Sequence, residues 1–347
     1  MQPATDHLTL DPHPSEASSP MPMKFPAPAC LACGGFLEPC ADGLFDTRFG
    51  IVGDWGVQRC ERCGLEQISP LPSADDLKNF YENYYNFGGE RGTLYTRLRG
   101  WYFSSVLHRL WAAVDGDISF YTRKGRGHLL DIGCNEGRGL RIYAQNGFEV
   151  EGLELNERAA EVARREGFAV DTATLDRFVP TAPFDVAVLS NVLEHSLDPA
   201  QMLRDVRRIL KPGGQVWISC PNSQSWLRSC FGRGWINWHA PFHIVHFSSS
   251  TLETMLAGAG FTNIQTRQIT PSLWVAHSVV ARMFARRGKP TRQLRNPALI
   301  LGLMLLARLI LFPLLVLGNR LGRGDCLLVV ASRKEPAAID LPPRPSH

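Results

Sequence analysis

The chain has 347 residues, 44% hydrophobic and 20% charged, with a formal net charge of +4. These values describe an ordinary soluble protein and exclude a single small module, because the length exceeds one typical domain and calls for two or three. The charge is unevenly placed: Thr254 to Gly324 holds no Asp or Glu, whereas Arg267, Arg282, Arg286, Arg287, Lys289, Arg292, Arg295, Arg308, Arg320 and Arg323 add ten positive charges. With +4 overall, the remainder is net negative. Such asymmetry points to an anionic surface as partner.

Residues 1–29 are rich in Pro, Ser, Ala and Asp and contain no basic-then-apolar signal pattern, so they read as a disordered leader. Translation from Met21 or Met23 would lose little. Residues 30–70 form a small zinc-ribbon-like module. Four of the nine cysteines make Cys30-x-x-Cys33 and Cys60-x-x-Cys63, each pair followed by Gly34 or Gly64. Two turns that each present two thiolates supply four soft ligands for a tetrahedral structural zinc, and the following glycine permits the positive φ of the turn. A closed four-thiolate site has no open position for chemistry, so its expected job is folding and the shaping of a substrate lid. A redox pair or incidental core cysteines are the alternatives.

Residues 71–126 read as a helical lid or linker. Ser73 with Asp76 resembles a capping box that opens a helix through Leu77, Phe80 and Tyr81. Tyr81, Tyr84, Tyr85 and Phe87 either cover a ligand or pack against the core. A second helix, from about Thr93 to Val114, carries Leu94, Leu98, Trp101, Val106 and Leu110 at roughly helical spacing.

The segment that organises the chain is HLLDIGCNEGRGL, His128 to Leu140. An apolar strand ends in Asp131 and runs into a loop with Gly133 and Gly137, after which a helix begins: a strand, tight turn and helix N-terminus able to hold a nucleotide-like ligand against its backbone, with unpaired N–H groups. Asn135 occupies the second glycine position of a dinucleotide fingerprint, and Asp131 would repel a pyrophosphate but attract an ammonium. Glu154 follows Gly133 at the distance where an acid caps a ribose diol. Strands and helices then alternate: Leu129–Gly133, Arg138–Asn146, Glu149–Leu155, Glu157–Glu166, Ala169–Thr172, Asp185–Ser190, Pro199–Leu210 and Gln215–Cys220. That alternation implies a parallel sheet covered on both faces, with ligands at the carboxyl ends of its strands.

With FDVAVLSNVLEHSLDP at Phe184–Pro199, ILKPGGQVWISCPN at Ile209–Asn222 and HIVHFSSSTLETMLAGAGF at His243–Phe261, the stretch from Gly127 to about Thr270, plus Asp325–Arg333, resembles the class I S-adenosylmethionine-dependent methyltransferases, quinone and sugar methyltransferases among them. The resemblance implies an α/β fold with a Rossmann-like, doubly wound seven-stranded sheet. It implies S-adenosylmethionine at Asp131, Gly133, Cys134, Asn135, Gly137, Glu154, Leu155, Ser190 and Asn191, with Asp131 meeting the amino group, Glu154 the ribose and Ser190–Asn191 the methionyl portion. Asn135 departs from the family's usual glycine but tolerates a left-handed backbone. Methyl transfer needs proximity and, for a hydroxyl or carbon acid, a base. His243 is the expected base, with His239 and His246 as runners-up. Glu194 and His195, in the VLEH signature, are expected to order the loop.

In that fold the strands Thr262–Ile269 and Cys326–Ser332 are neighbours, so 273–324 is an insertion into a core of 127–272 and 325–334; 335–347 is a disordered tail. Leu273–Phe284 is apolar, a basic run follows, and Ala298–Leu317 is nearly all apolar and long enough for a hydrocarbon core. A single crossing would strand the last β-strand on the wrong side, and Arg308 and Pro313 disfavour it. A helical hairpin dipping into one leaflet, its basic residues on anionic headgroups, fits better; a homodimer interface is the alternative. The expectation is a cytoplasmic enzyme, monotopic at the inner face of the cell membrane, that O-methylates a lipid-linked glycan or another membrane-adjacent small molecule. A catalytically silent scaffold and a nucleic-acid methyltransferase are the other readings. The latter is disfavoured because the basic block is interleaved with apolar runs rather than stacking aromatics.

Overall fold

The computed structural model describes residues 29–84 and 105–335. Helix 93–114 is therefore described only as α2, Val106–Asp115, which follows α1, Ala74–Tyr84; Tyr85 and Phe87, the leader and most of the tail lie outside the described residues.

The central sheet is built from runs that are apolar on both faces, as a parallel strand between two helix layers must be. Leu129 and Leu130 in β4 (His128–Ile132) are fully buried, as are Phe184 and Ala187–Leu189 in β7 (Phe184–Ser190). Around them lie β5 (Glu149–Leu153), β6 (Ala169–Asp171), β8 (Leu210–Pro221), β10 (Phe261–Ile269) and β11 (Cys326–Arg333), in the order β10-β11-β8-β7-β4-β5-β6. The pairs β4/β5, β4/β7, β5/β6 and β7/β8 are parallel, and β11 is antiparallel to both neighbours. This is the doubly wound seven-stranded sheet expected, and the last two strands are neighbours as expected. The order reverses at β4/β7, so the crevice at their carboxyl ends is the topological switch point.

The helices between strands start where short polar side chains cap them. Asn156 accepts from the Ala159 amide at the start of α4 (Glu157–Arg165), Asp198 from Gln201 at α5 (Pro199–Ile209), and Ser248 from Thr251 at α7 (Ser249–Gly258). α3 (Arg138–Gln145) starts directly from the glycine loop. Ser73 and Asp76 exchange the two bonds of a capping box at α1.

A second sheet joins the cysteine module to the core. β1 (Leu37–Leu44), β2 (Trp55–Cys60) and β3 (Glu66–Ser69) form an antiparallel meander, and β3 pairs with β9, Val245–His246, inside the histidine loop. The ribbon is thus built onto the segment that carries the candidate base. Glu66 ties the two further, receiving Arg59 from β2 and Arg228 from α6 (Trp226–Phe231), each at 2.6 Å.

Within the insertion, α8 (Ser272–Phe284) and α9 (Pro297–Arg320) pack against each other. They are not equivalent arms of a hairpin. In α8, Val275, Ala276, Val280 and Ala281 are buried in the protein, and the exposed large apolar side chains, Leu273, Met283 and Phe284, sit at its two ends. In α9, Leu301, Leu305, Leu306, Leu309, Ile310, Leu314 and Leu317 are all exposed, Leu309 by 82%. Arg308 also differs from its sequence expectation. It turns inward, its Nε 2.5 Å from Asp115 Oδ1 and Nη2 2.6 Å from the Thr270 carbonyl, so it does not interrupt the apolar face.

Candidate functional site

At the carboxyl end of β4 the backbone turns through three left-handed residues, Gly133 (φ +73°), Asn135 (+55°) and Gly137 (+79°). Asn135 adopts the conformation its side chain tolerates best after glycine. A Cβ on Gly133 would lie 2.9 Å from Val192 Cγ2, so its absence lets the loop close against the segment after β7. The amides of the loop itself, as distinct from those at the helix N-terminus, are engaged. The Gly133 and Cys134 N–H groups donate to Leu153 O, Gly137 N–H to Cys134 O and Asn135 N–H to Glu154 Oε2. It offers a shaped surface more than free donors.

Two carboxylates frame this surface. Asp131 is buried, and burial together with Glu154's charge pushes its carboxyl up to about 7. Gly139 makes room for it: a Cβ there would sit 2.4 Å from Asp131 Oδ2. That requirement was absent from the sequence reading, although a second glycine two residues after Gly137 was its signal. Glu154, also raised by burial, receives the amides of Asn135 (3.0 Å) and Asn156 (2.8 Å), one on each oxygen. It therefore fixes the loop, and each oxygen keeps a lone pair for a hydroxyl. Leu155 beside it is exposed, in position to lie on a flat base. The Cys134 side chain, by contrast, packs with Leu140 and Ala163, so only its backbone could face a ligand.

Across the switch point, Ser190 Oγ is already engaged, 3.2 Å from Ser119 Oγ and from Ser219 Oγ. Asn191 is left-handed (φ +55°), and its Oδ1 is buried without a partner among the described residues. A buried orphan acceptor next to an acidic strand end suits a cationic amino group. The residues fit S-adenosylmethionine: Asp131 and Asn191 would hold its ammonium and Glu154 its ribose, beside the glycine loop.

Beyond Asn191 the structure gathers what the sequence scattered. Glu194 follows in a short 3-10 turn, while His239, His243 and His246 come from the loop after β8. The His195 and His243 rings are 4.8 Å apart, those of His239 and His243 4.9 Å. His243 Nδ1 donates to Asn237 O at 2.8 Å, which leaves Nε2 as the lone-pair nitrogen, 4.0 Å from Glu194 Oε1. Burial lowers all the imidazoles, His195 to about 4, and raises the Glu194 carboxyl to about 8. His239 stacks on Phe242, ring centroids 5.0 Å apart. His246, in β9, packs edge-on to Trp238 and lies 6.2 Å ring to ring from His243. His195, assigned only a loop-ordering role from sequence, holds Tyr81 from α1: the hydroxyl is 2.9 Å from its Nδ1. Tyr81, Phe80 and Phe49 also pack on Phe242, so the aromatics before the core do cover the histidine loop.

The four cysteines converge apart from this site. Cys30 and Cys63 sulfurs are 3.5 Å apart, as are those of Cys33 and Cys60, and all four lie within 4.8 Å of one another. Tetrahedral zinc with bonds near 2.3 Å sets sulfurs about 3.8 Å apart, so the cluster fits that ion. Gly34 and Gly64 have the positive φ expected.

A methyltransferase-domain family model matches residues 100–266. A ubiquinone biosynthesis O-methyltransferase of Pseudomonas aeruginosa is 39% identical over 102 residues, 27% of this chain and 44% of that protein. A Mycolicibacterium smegmatis protein named a probable S-adenosylmethionine-dependent methyltransferase is 31% identical over 164 residues, 46% of this chain and 60% of the relative. The chain thus spans about half the length of these curated relatives. A solved S-adenosylmethionine-dependent methyltransferase from Mesorhizobium loti aligns with 63% of this chain and all of that one, at 22% identity and a TM-score of 0.40.

Proposed function

We propose that the chain, whose residues 100–266 match a methyltransferase-domain family model, is an S-adenosylmethionine-dependent enzyme that methylates a hydroxyl of a lipid-linked or membrane-adjacent small molecule at an anionic membrane surface. The donor supplies an electrophilic methyl bonded to a positively charged sulfur. The acceptor oxygen forms the new C–O bond as the C–S bond breaks and its electron pair stays on sulfur. The acceptor proton leaves to His243 Nε2, whose neighbour His195 and the aromatic cover of Tyr81 and Phe49 keep water from the path. The observation that supports a hydroxyl acceptor is this nitrogen, neutral at physiological pH and oriented by the Asn237 carbonyl.

The membrane part of the reading rests on α9. Its 24 residues extend about 36 Å, most of its circumference is apolar and exposed, and Arg292, Arg295, Arg320 and Arg323 flank its ends. A helix seated on a folded body along one side, with arginines at both ends, suits lying in the interface plane rather than crossing it. α2 adds exposed Val106, Leu107, Leu110 and Val114 to the body that carries it. In flotation assays the protein is expected to rise with phosphatidylglycerol vesicles and stay down with phosphatidylcholine, and Leu309→Glu with Ile310→Glu to lose that binding. Methyl label from the donor is expected in a lipid extract and not on oligonucleotides. A wild-type chain that ignores anionic vesicles, or a variant that floats equally well, would refute the surface; label on oligonucleotides alone would restore the nucleic-acid reading.

The four-cysteine cluster is proposed as a structural zinc site. Because β3 pairs with β9, its loss should travel into the histidine loop. Chelation is expected to release one zinc per chain and to weaken methyl transfer together with the fold of the N-terminal sheet, read by circular dichroism; full activity in zinc-free protein would argue against the assignment.

A further inference from the structure

We propose that the cleft between the cysteine module, α6, the start of α7 and the segment after α9 binds a phosphate group, carried by a soluble ester or by a lipid headgroup; the proposal needs neither the methyl-transfer nor the membrane reading. The cleft has a volume of about 550 Å³. Three guanidinium groups line it, from Arg59 on β2, Arg228 on α6 and Arg323 after α9, and Glu66 is the one carboxylate among the lining residues. Cys63, also at its edge, commits its sulfur to the four-cysteine cluster, 3.5 Å from that of Cys30. The lining side chains thus keep two positive charges beyond those that Glu66 balances, which suits an anion and rejects a cation.

The arginines are held in place without being used up. Buried Glu66 accepts Arg59 Nε and Nη2 on one oxygen and Arg228 Nη1 on the other, and Arg228 lies 4.4 Å over the Trp238 ring. Arg59 Nη1 has no hydrogen-bond partner among the described residues, and the Arg323 guanidinium gives only Nη1, at 3.4 Å, to the Gln224 carbonyl. Ser223 is 7% exposed, yet among the described residues its hydroxyl has no partner either; only its carbonyl is engaged, by Arg228, and its amide by Phe247 O. A buried hydroxyl at the wall of a polar cleft takes its partner from what fills the cleft.

The start of α7 belongs to the same cleft through Ser248, Ser250 and Thr251. Its first intrahelical bond runs from the Leu252 amide to Ser248 O, and the Ser248 hydroxyl takes the Thr251 amide, so the amides of Ser249 and Ser250 are left for an outside acceptor. The helix dipole there favours negative charge. Donors therefore come from three elements distant in sequence: the ribbon, α7 and the turn after α9. A carboxylate offers two oxygens in one plane, whereas a phosphate offers three or four in different directions and takes forked guanidinium contacts. The cleft also lies by the C-terminal end of α9, since a Cβ on Gly318 would be 2.6 Å from Trp226 Cζ2 and Arg323 comes three residues after that helix. A headgroup and an ester in solution both reach such a place.

The test uses the full, zinc-loaded chain in a phosphate-free buffer, titrated calorimetrically with pyrophosphate and with inorganic phosphate. One pyrophosphate per chain is expected, with acetate failing to compete. Arg323→Gln removes an exposed guanidinium, and Ser250→Asp sets a carboxylate in the cleft at a helix start that favours acids, so both variants should keep the wild-type circular dichroism. Each is expected to weaken pyrophosphate binding about tenfold or more. Displacement of pyrophosphate by phosphatidic acid vesicles would identify a headgroup as the ligand, and displacement by glycerol 3-phosphate without the vesicles' effect a soluble ester; either supports the site. No pyrophosphate uptake, equal competition by acetate, or unchanged affinity in both variants overturns it. S-adenosylmethionine affinity is expected to be the same in all three proteins, and its failure to bind would tell against the methyltransferase reading while leaving the phosphate result in place.

Discussion

Arg308→Leu is expected to destabilise the fold by about 3–5 kcal/mol, the range for removing one partner of a buried ion pair. The pair is closed on all sides: each side chain is 7% exposed, and Asp115 also receives the Ser272 amide at 3.0 Å. Without the guanidinium, Asp115 keeps a full charge in a low-dielectric site with one amide to balance it. The Thr270 carbonyl would also lose its 2.6 Å donor. Asp115→Asn placed in the Arg308→Leu background retains an acceptor for the Ser272 amide and removes the charge, so it should return most of the loss. Urea unfolding followed by far-ultraviolet circular dichroism measures both. A loss below about 1 kcal/mol for the single variant would place the cost within that of an ordinary surface ion pair and contradict the seating of α9. The same arithmetic explains how a helix so apolar stays registered on its body: one buried charge joins α2, the end of β10 and α9 at a point where sliding by a turn would leave an unpaired ion.

This anchor shows where reading from sequence stopped. Arg308 in an apolar run looked like an obstacle, because its partner lies 193 positions away on α2 and no local pattern links them. Periodicity reports which side of a helix is apolar but not which other element covers it; hence the burial of the middle of α8 and the exposure of most of α9 were not readable in advance. The central sheet was legible almost strand by strand, since apolar runs, glycine turns and N-caps are local features with local causes. The left-handed Asn135 and the capping box at Ser73 were legible for the same reason. The histidine loop lay between these cases. His243 was singled out by residue type, yet its meeting with Glu194 and His195 depends on the parallel pairing of β7 with β8, which brings the two strand ends side by side. Gly139 was passed over because its requirement comes from the Asp131 carboxylate, not from its own backbone.

Asp131→Ala should weaken S-adenosylmethionine binding at least about 25-fold, since truncating one partner of a desolvated charge pair costs about 2–5 kcal/mol and each 1.4 kcal/mol is a factor of ten. The more discriminating result is the pH dependence of the wild-type chain. Burial and the nearby Glu154 hold the ligand-free Asp131 carboxyl up at about 7, well above its unfolded value. The donor's ammonium binds the ionised form, so proton and ligand compete for the same oxygen atoms. Well above pH 7 the carboxylate is already present and its own contribution to affinity is flat. Below it each ligand must displace a proton, and the dissociation constant should rise about tenfold between pH 8 and pH 6. Glu154, raised in the same direction by burial, protonates on the same side and can only steepen the trend. Asp131→Asn removes the titrating group, preserves its shape beside Gly139, and should bind weakly with little change over that range. Calorimetry at pH 8, 7 and 6 on both proteins separates the cases. If wild-type affinity proved independent of pH, or if the asparagine variant bound as tightly as the wild type, the ammonium would not be Asp131's partner. The role would then pass to Asn191, the buried acceptor across the switch point.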